Sequence, residues 1–106
     1  MLLYSRAESA RILRVTPTRL RDFERMDLVR PARGEGPDAA FDFRDLLSLR
    51  ALVTLLERGV PMRRIRRSVE RVREHWPELE RPVAALKLQD GPPERLVVRH
   101  AGSLLD

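Results

Sequence analysis

The chain has 106 residues, of which 42% are apolar and 35% charged, and its net charge at pH 7 is +5. This composition is typical of one small globular domain, and the positive charge favours an anionic partner such as nucleic acid. The absence of cysteine excludes disulfides, thiolate metal sites and redox sensing by thiols. No apolar run is long enough for a signal peptide or a membrane span, so we expect a cytoplasmic protein, and a nucleoid-associated one if its partner is DNA.

The first predicted helix covers residues 6–13. Ser5 and Glu8 form a capping-box pattern, in which each side chain can bind a free backbone N–H at the start of the helix. Ala10 lies on a narrow face of small and apolar residues that would let another helix approach closely, whereas we expect Arg6 to point away from it. The pattern therefore predicts a short helix that packs on a neighbour.

A second helix is predicted to begin at Thr16, whose hydroxyl suits an N-cap, with Pro17 at the first helical position. Leu20 and Phe23 recur at helical spacing, and Asp27 tolerates the left-handed conformation that a tight helix exit often needs. The other positions give this helix a polar, mostly cationic outward face: Thr18, Arg19, Arg21, Asp22 and Arg25. Two short helices joined by a short turn have helix-turn-helix geometry, and an ordinary helical hairpin with a basic exposed side is the alternative that spacing leaves open.

A wing is predicted after the second helix. Residues 28–30 read as a short strand, residues 31–40 form a loop rich in glycine and proline, and Phe41 returns the chain to the core. Arg30 and Arg33 lie on or near this loop, from which they could reach a phosphate or a minor groove. A solvent-exposed loop without a binding role is the alternative.

The helical period returns at Asp42, a suitable N-cap. Leucine and valine side chains up to residue 56, Leu47 among them, predict a core helix that is buried over much of its girth. Gly59 ends this helix, and Pro61 begins another. The next helix carries apolar residues three and four apart: Met62, Ile65, Val69, Val72 and Trp76. This stripe either covers the core of the same chain or pairs with a second copy.

The opposite face of that last helix is strongly basic. Residues 58–73 hold seven arginines and one acidic residue, Glu70, so their local charge of +6 exceeds the net charge of the whole chain. A possible second basic surface therefore consists of Arg63, Arg64, Arg67 and Arg71. Such a surface is either a solvated helix face or a contact for nucleic acid or an acidic partner.

The chain changes period after Trp76. The proline that follows Trp76 ends the helix, and Pro82 limits any later helix to a turn or two. Residues 86–88 and 95–99 read as strands joined by a Gly-Pro-Pro turn, which predicts a β-hairpin, and residues 104–105 read as a third strand.

We therefore expect two parts: residues 1–76 as the helical domain and residues 77–106 as an extension made of a short helix and the β-hairpin. An isolated hairpin is marginally stable in water, so the extension must pack on the helices, on a second copy, or on further sequence of a longer protein. Residues 62–76 and 96–98 are candidate interfaces of a homodimer, and the hairpin is a candidate site for another protein partner.

A family resemblance extends over roughly residues 3–73. The following residues resemble, in order and spacing, those of MerR-type winged helix-turn-helix domains: Tyr4, Ser5, Glu8, Ala10, Val15, Thr16, Pro17, Leu20, Arg21, Phe23, Glu24, Arg25, Leu28, Val29, Pro31, Arg33, Phe41, Asp45, Leu46, Leu49, Gly59, Val60 and Ile65. The resemblance implies a mainly α, winged helix-turn-helix fold of four to five helices with a small wing, here followed by the C-terminal β-hairpin extension.

The same resemblance implies a transcription regulator that binds double-stranded DNA sequence-specifically. Residues 16–25 would enter the major groove, residues 30–41 would touch the flanking backbone, and Tyr4 and Arg21 would help to hold phosphates. Taken together, the candidate DNA contacts are Tyr4, Thr16, Thr18, Arg19, Arg21, Arg25, Arg30 and Arg33.

The sequence departs from the family pattern at several positions. Arg14 and Asp27 stand where glycine is common on either side of the recognition helix. Ala39 replaces a common arginine of the wing, and Asp22 replaces a common aromatic residue. The long antiparallel dimerisation helix of full-length MerR regulators is replaced by the break at Trp76 and the hairpin. The resemblance therefore does not imply that a symmetric dimer of this chain twists promoter DNA.

Two other functions fit the same pattern. One is a protein-interaction module that keeps the helix-turn-helix scaffold, and the other is an excisionase-like architectural factor that bends DNA. We expect no enzyme, because the only histidines, His75 and His100, have no serine and acid at a suitable spacing and no glycine-rich phosphate motif is present. We also expect no cofactor and no metal site.

Overall fold

The protein is described by a computed structural model that covers residues 2–89, 95–100 and 103–105. Four α-helices lie within these residues: α1 (Arg6–Leu13), α2 (Pro17–Arg25), α3 (Phe43–Glu57) and α4 (Met62–His75). The strands are β1 (Tyr4–Ser5), β2 (Ala40–Phe41), β3 (Leu86–Gln89), β4 (Arg95–His100) and β5 (Ser103–Leu105). Short 3-10 helices occupy Gly36–Asp38 and Pro82–Ala85. The fold is the mainly helical one that the sequence predicts.

The helices begin where their capping residues predict. Ser5 Oγ accepts the Glu8 N–H at 3.0 Å, and Glu8 Oε1 accepts the Ser5 N–H at 3.0 Å, which completes the capping box of α1. Thr16 Oγ1 accepts the Arg19 N–H at 3.1 Å at the start of α2. Asp42 and Asp45 form a second reciprocal box at the start of α3, with distances of 2.8 and 3.0 Å.

Helix α3 lies at the centre of the core. Leu49 and Leu52 are fully buried, and the helix ends before Gly59, whose φ of +88° makes the turn towards α4. The prediction that α3 is buried around most of its circumference is wrong at Leu47, which is 54% exposed. Leu47 lies one turn after Phe43, itself exposed, on the side of α3 that faces away from the core.

The apolar stripe of α4 packs inside its own chain. Ile65, Val69 and Val72 are at most 1% exposed, and Met62 and Trp76 are partly buried against the same core. The alternative in which this stripe pairs with a second copy is therefore wrong for this fold, because the side chains that would form such a seam are already covered.

The wing differs in detail from the prediction. Strand β2 pairs antiparallel with β1, with Tyr4 opposite Phe41, and Arg33 forms one isolated bridge with Ala40. The strand predicted at residues 28–30 is wrong. The Leu28 N–H bonds back to the Phe23 carbonyl at 3.0 Å, and Leu28 and Val29 are both buried, so this segment serves as the exit of α2.

The C-terminal strands form one antiparallel sheet in the order β3-β4-β5, with Leu86 opposite Val98. The predicted strands are confirmed, whereas the predicted turns at residues 90–94 and 101–102 lie outside the described residues. Val83, Leu86 and Leu96 are buried in the same hydrophobic core as the helices. The sheet therefore packs on the helices, which is how a short hairpin gains stability.

Candidate nucleic-acid interface

The orientation of α2 is set by two fully buried side chains, Leu20 and Phe23. Because an α-helix has 3.6 residues per turn, burial of these positions turns Thr18, Arg21 and Arg25 to the opposite side. All three are exposed. The structure thus brings three of the predicted contact residues together on one outward face of α2.

Two neighbours modify this outward face. Asp22 lies beside Arg25, and the Arg25 Nη1 is 3.5 Å from the Asp22 Oδ1 in an exposed pair. Arg19, also predicted as a contact, lies on the flank of the helix, where its guanidinium carbon is 5.4 Å from the centroid of the Phe23 ring. Arg19 also lines a groove with Glu57 of α3. It is therefore set apart from the face that carries Arg21 and Arg25.

A buried ion pair holds α2 against α1. Arg6 Nε and Nη2 each donate to a carboxylate oxygen of Glu24 at 2.8 Å, and the two side chains are 9% and 14% exposed. The hydrogen bonds to Glu24 raise the pKa of Arg6, and burial opposes that shift. This bidentate pair joins the first turn of α1 to the last turn of α2.

The expectation that Arg6 points away from its helix neighbour is wrong. Arg6 lies four residues before Ala10 and seven before Leu13, so helical spacing places all three on the same face of α1. An arginine on an otherwise apolar face needs a buried carboxylate partner, and this signal was present in the sequence. The sequence does not identify that partner, because Glu24 lies 18 residues away from Arg6.

The turns on either side of α2 each contain a residue other than glycine in the left-handed backbone conformation. Arg14 and Asp27 both have φ of +58°. After α1, the Val15 N–H bonds to the Ala10 carbonyl at 3.0 Å, and this bond closes the turn into α2. A left-handed residue other than glycine costs about 1–2 kcal/mol. The turn geometry is thus retained at both departures from the family pattern, and local contacts must offset its cost.

Asp27 is surrounded by two arginines. Arg30 Nε and Nη2 donate to its two carboxylate oxygens at 2.8 and 2.9 Å, and Arg73 Nη1 lies 3.3 Å from Oδ2. The hydrogen bond from Arg30, helped by the charge of Arg73, lowers the pKa of Asp27. Asp27 in turn raises the pKa of Arg30, whereas burial is the main cause that lowers the pKa of Arg73. Arg30, predicted as a phosphate contact, is thus held beside the exit of α2.

The remaining predicted contacts lie around the wing and the start of α2. Tyr4 is half-buried in β1 and, with Leu2 and Phe43, lines an open cavity of about 640 Å³. The Thr16 hydroxyl serves as the N-cap of α2. Arg33 is exposed at its bridge to Ala40. Thr16 thus lies at the start of α2, whereas Tyr4 and Arg33 lie on β1 and on the wing, outside that helix.

The predicted second basic surface forms one face of α4. Its four residues are exposed and lie opposite the buried stripe: Arg63, Arg64, Arg67 and Arg71. On one edge of this face, Arg66 is 3.7 Å from Glu70. A groove between the exit of α2 and the start of α4 is lined by Met26, Met62, Arg63, Arg66, Arg67 and Glu70. The basic face of α4 therefore begins beside the end of α2.

Residues 2–89, 95–100 and 103–105 contain no group of three or more histidine, aspartate or glutamate side chains placed to hold a metal ion. Across those same ranges, no helix is both long enough and apolar enough to span a bilayer.

Comparison with known proteins places the chain in a family. The family model of the MerR HTH family regulatory proteins matches residues 4–72, which run from β1 into the last turns of α4. No curated protein and no solved structure shows a significant match. Members of the matched family are DNA-binding regulators and not enzymes. The chain belongs to the MerR helix-turn-helix family of DNA-binding transcription regulators.

Proposed function

We propose that the protein recognises specific double-stranded DNA sequences by inserting α2 into the major groove, and that it regulates transcription in this way. The observation that carries the proposal is the exposed face formed by Thr18, Arg21 and Arg25. This face lies on a helix whose orientation is fixed by Leu20, Phe23 and the Arg6–Glu24 pair. Such rigid presentation suits the reading of base edges.

Two kinds of contact would contribute to binding. Arginine–phosphate attraction supplies most of the affinity and is independent of sequence. An arginine that donates two hydrogen bonds to one guanine contributes about 1–3 kcal/mol of discrimination between bases. Arg21 and Arg25 are suited to either contact. Asp22 reduces the local charge between them, which limits attraction to a duplex in the wrong register.

The flanking basic residues would hold the phosphate backbone. Arg33 on the wing is exposed, and so is the basic face of α4, which begins beside the end of α2. Each can reach a phosphate through a long side chain. The Thr16 hydroxyl accepts a backbone N–H and can still donate to a phosphate oxygen. In this arrangement the flanking residues position the protein, and α2 reads the bases.

Binding to a duplex labelled with a fluorophore tests this proposal. Arg21→Ala and Arg25→Ala should each weaken binding, by about tenfold where a guanine contact is lost. Loss of a phosphate contact should instead reduce the slope of log affinity against log salt by about one. Arg44→Ala is the matched control, since it removes one exposed arginine from α3. Equal binding by all three variants, or affinity that does not change with salt, would refute the proposal.

Pairing of two copies through the C-terminal sheet is also proposed. The stripe of α4 is buried, and residues 96–98, the other predicted interface, belong to the central strand β4, where Leu96 and Val97 are buried as well. The edges of the sheet are therefore the better candidates for a homodimer interface. Among the described strands, β3 and β5 are the two edges of that sheet and can pair with further strands. A solution mass of twice the chain mass, reduced to one by proline substitution in β5, would support this interface. A monomer that still binds DNA would exclude it.

A further inference from the structure

Asp27 connects three segments of the DNA-binding domain. It is the second residue after α2, its carboxylate binds Arg30 on the segment that leads to the wing, and it binds Arg73 in the last turn of α4. Arg73 Nη2 also donates to the Asp27 backbone carbonyl at 2.6 Å. These contacts span 46 residues of sequence and fix the end of α2 relative to α4.

The backbone around Asp27 gives Arg30 little freedom. Asp27 has φ of +58°, and the next two residues, Leu28 and Val29, are buried in the core. Arg30 is therefore anchored at its backbone by buried neighbours and at its guanidinium by two hydrogen bonds to Asp27. An arginine side chain has many rotamers, and one that is already held loses less conformational entropy on binding.

The same contacts leave part of the guanidinium available. The two bonds to Asp27 use Nε and Nη2, while the side chain of Arg30 is 67% exposed. Arginine has five N–H donors, so the Nη1 edge of Arg30 can donate to a phosphate while the bonds to Asp27 remain. The negative charge of Asp27 lies between two positive charges and weakens their attraction for anions, least for an anion at the Nη1 edge, which is not bonded to Asp27.

We propose that Asp27 is a specificity-determining residue: it orients Arg30 for one phosphate and at the same time lowers the attraction of Arg30 and Arg73 for DNA in any other register. This inference rests on the proposed function. Binding to random DNA depends mainly on the number of available positive charges, whereas binding to the correct site depends on their positions. Asp27 therefore lowers the first kind of binding more than the second.

Asp27→Asn tests the proposal with little change of shape. Asparagine adopts left-handed backbone readily and keeps one carbonyl oxygen for Arg30, but it lacks the charge. For a random 30-base-pair duplex at 0.1 M salt we expect tighter binding by up to about tenfold, with a slope of log affinity against log salt steeper by about one. For the duplex that the natural protein selects from a random pool we expect a smaller gain or a loss. The ratio of selected to random affinity should fall.

Two controls separate this role from a structural one. Glu80→Gln makes the same change of net charge at an exposed carboxylate bound to Arg81, and it should leave the affinity ratio unchanged. Arg30→Gln should weaken binding to the selected duplex in the natural chain and less so together with Asp27→Asn, because the two residues act through one contact. A melting temperature measured for each variant shows that the protein is folded.

The outcomes distinguish this inference from the proposed function. If the natural protein prefers its selected duplex and Asp27→Asn leaves the ratio and the salt slope unchanged, the role of Asp27 is refuted while sequence-specific binding stands. If Arg30→Gln and Asp27→Asn have strictly additive effects, the positioning of Arg30 by Asp27 is refuted as well. If the natural protein shows no preference among duplexes, the proposed function itself fails.

Discussion

The guanidinium of Arg6 and the carboxylate of Glu24 form a two-point ion pair, with both bonds at 2.8 Å, between the start of α1 and the end of α2. Helix α2 contributes only two fully buried side chains to the core, Leu20 and Phe23. The orientation of α2 therefore depends on this ion pair more strongly than the orientation of a longer helix, with more buried side chains, would. The proposed function would require α2 to be held within a fraction of an ångström, and this pair restrains α2 relative to α1.

Removing one partner should destabilise the protein strongly. Arg6→Met leaves the Glu24 carboxylate largely buried without its cation, and we expect a loss of about 3 kcal/mol in the free energy of unfolding. Replacing both residues, as in Arg6→Met with Glu24→Leu, should recover much of this loss because no charge remains buried. Urea denaturation measures both values. A double variant as unstable as Arg6→Met alone would show that the ion pair is not what the single change disrupts.

Arg81 should be needed to neutralise the start of α3. It donates to Asp45 Oδ1 and Asp42 Oδ2, both at 3.1 Å, and Asp45 is only 1% exposed. Arg81→Met leaves two neighbouring carboxylates without a cation, and we expect the free energy of unfolding to fall by about 3 kcal/mol.

Arg44→Met is the control for this variant, because it removes an exposed arginine from the same end of α3. We expect it to change the free energy of unfolding by less than about 0.5 kcal/mol. Similar losses in the two variants would argue against the role assigned to Arg81.

The capping box of α1 makes stability depend on acid pH. The hydrogen bond from the backbone N–H of Ser5, followed by the one that involves its side chain, lowers the pKa of Glu8 in the folded chain. A lowered carboxyl pKa contributes stability above the pKa of the unfolded chain, and this contribution is lost as the pH falls through the lower folded value. Glu8→Gln should therefore show a smaller decrease in stability than the natural chain between about pH 5 and pH 3.

Thermal denaturation across this pH range measures the effect. Glu35→Gln, in the exposed wing loop, is the matched control, because it makes the same change of charge and leaves the capping box of α1 intact. An identical pH profile for Glu8→Gln and the natural chain would contradict the assignment.

Alanine should destabilise the wing less at Gly36 than at Gly34. Gly34 has φ of +69°, and a Cβ there would clash with the backbone carbonyl of Asp38 across the turn. Gly36 has φ of +59°, but nothing lies within 4 Å of its would-be Cβ. Gly36→Ala should cost about 1–2 kcal/mol from backbone strain alone, and Gly34→Ala should cost more. Equal losses in chemical denaturation would mean that the close approach to Asp38 does not constrain the wing.

Local signals in the sequence predict the helices well. The Ser5–Glu8 box, the Thr16-Pro17 start and the Gly59 turn each depend on residues within four positions of one another, and each is observed. The left-handed exit at Asp27 is confirmed for the same reason. These features depend on hydrogen bonds between residues close in sequence, so the sequence alone identifies them.

Local sequence signals do not predict contacts between residues that are distant in the sequence. Arg6 binds Glu24 over 18 residues of sequence, and Arg73 binds Asp27 over 46. Besides its neighbour Glu80, Arg81 binds Asp45 and Asp42, which lie 36 and 39 residues away, and no local spacing identifies these distant partners. The predicted strand at residues 28–30 fails because its apolar pattern also suits a buried helix exit. From the sequence, Arg19, Arg21 and Arg30 are three equivalent cations. The fold distinguishes them, because Arg19 lies over the Phe23 ring and Arg30 binds Asp27, whereas Arg21 lies on the outward face of α2.

The central claim, that the outward face of α2 reads DNA sequence, is tested most directly by selecting bound duplexes from a random pool with the natural chain and with an Arg21→Ala/Arg25→Ala variant. We predict that the natural chain enriches a short motif containing guanine, and that the variant fails to enrich it while remaining folded. A pool that stays random with the natural chain, or the same motif enriched by both proteins, would contradict the claim.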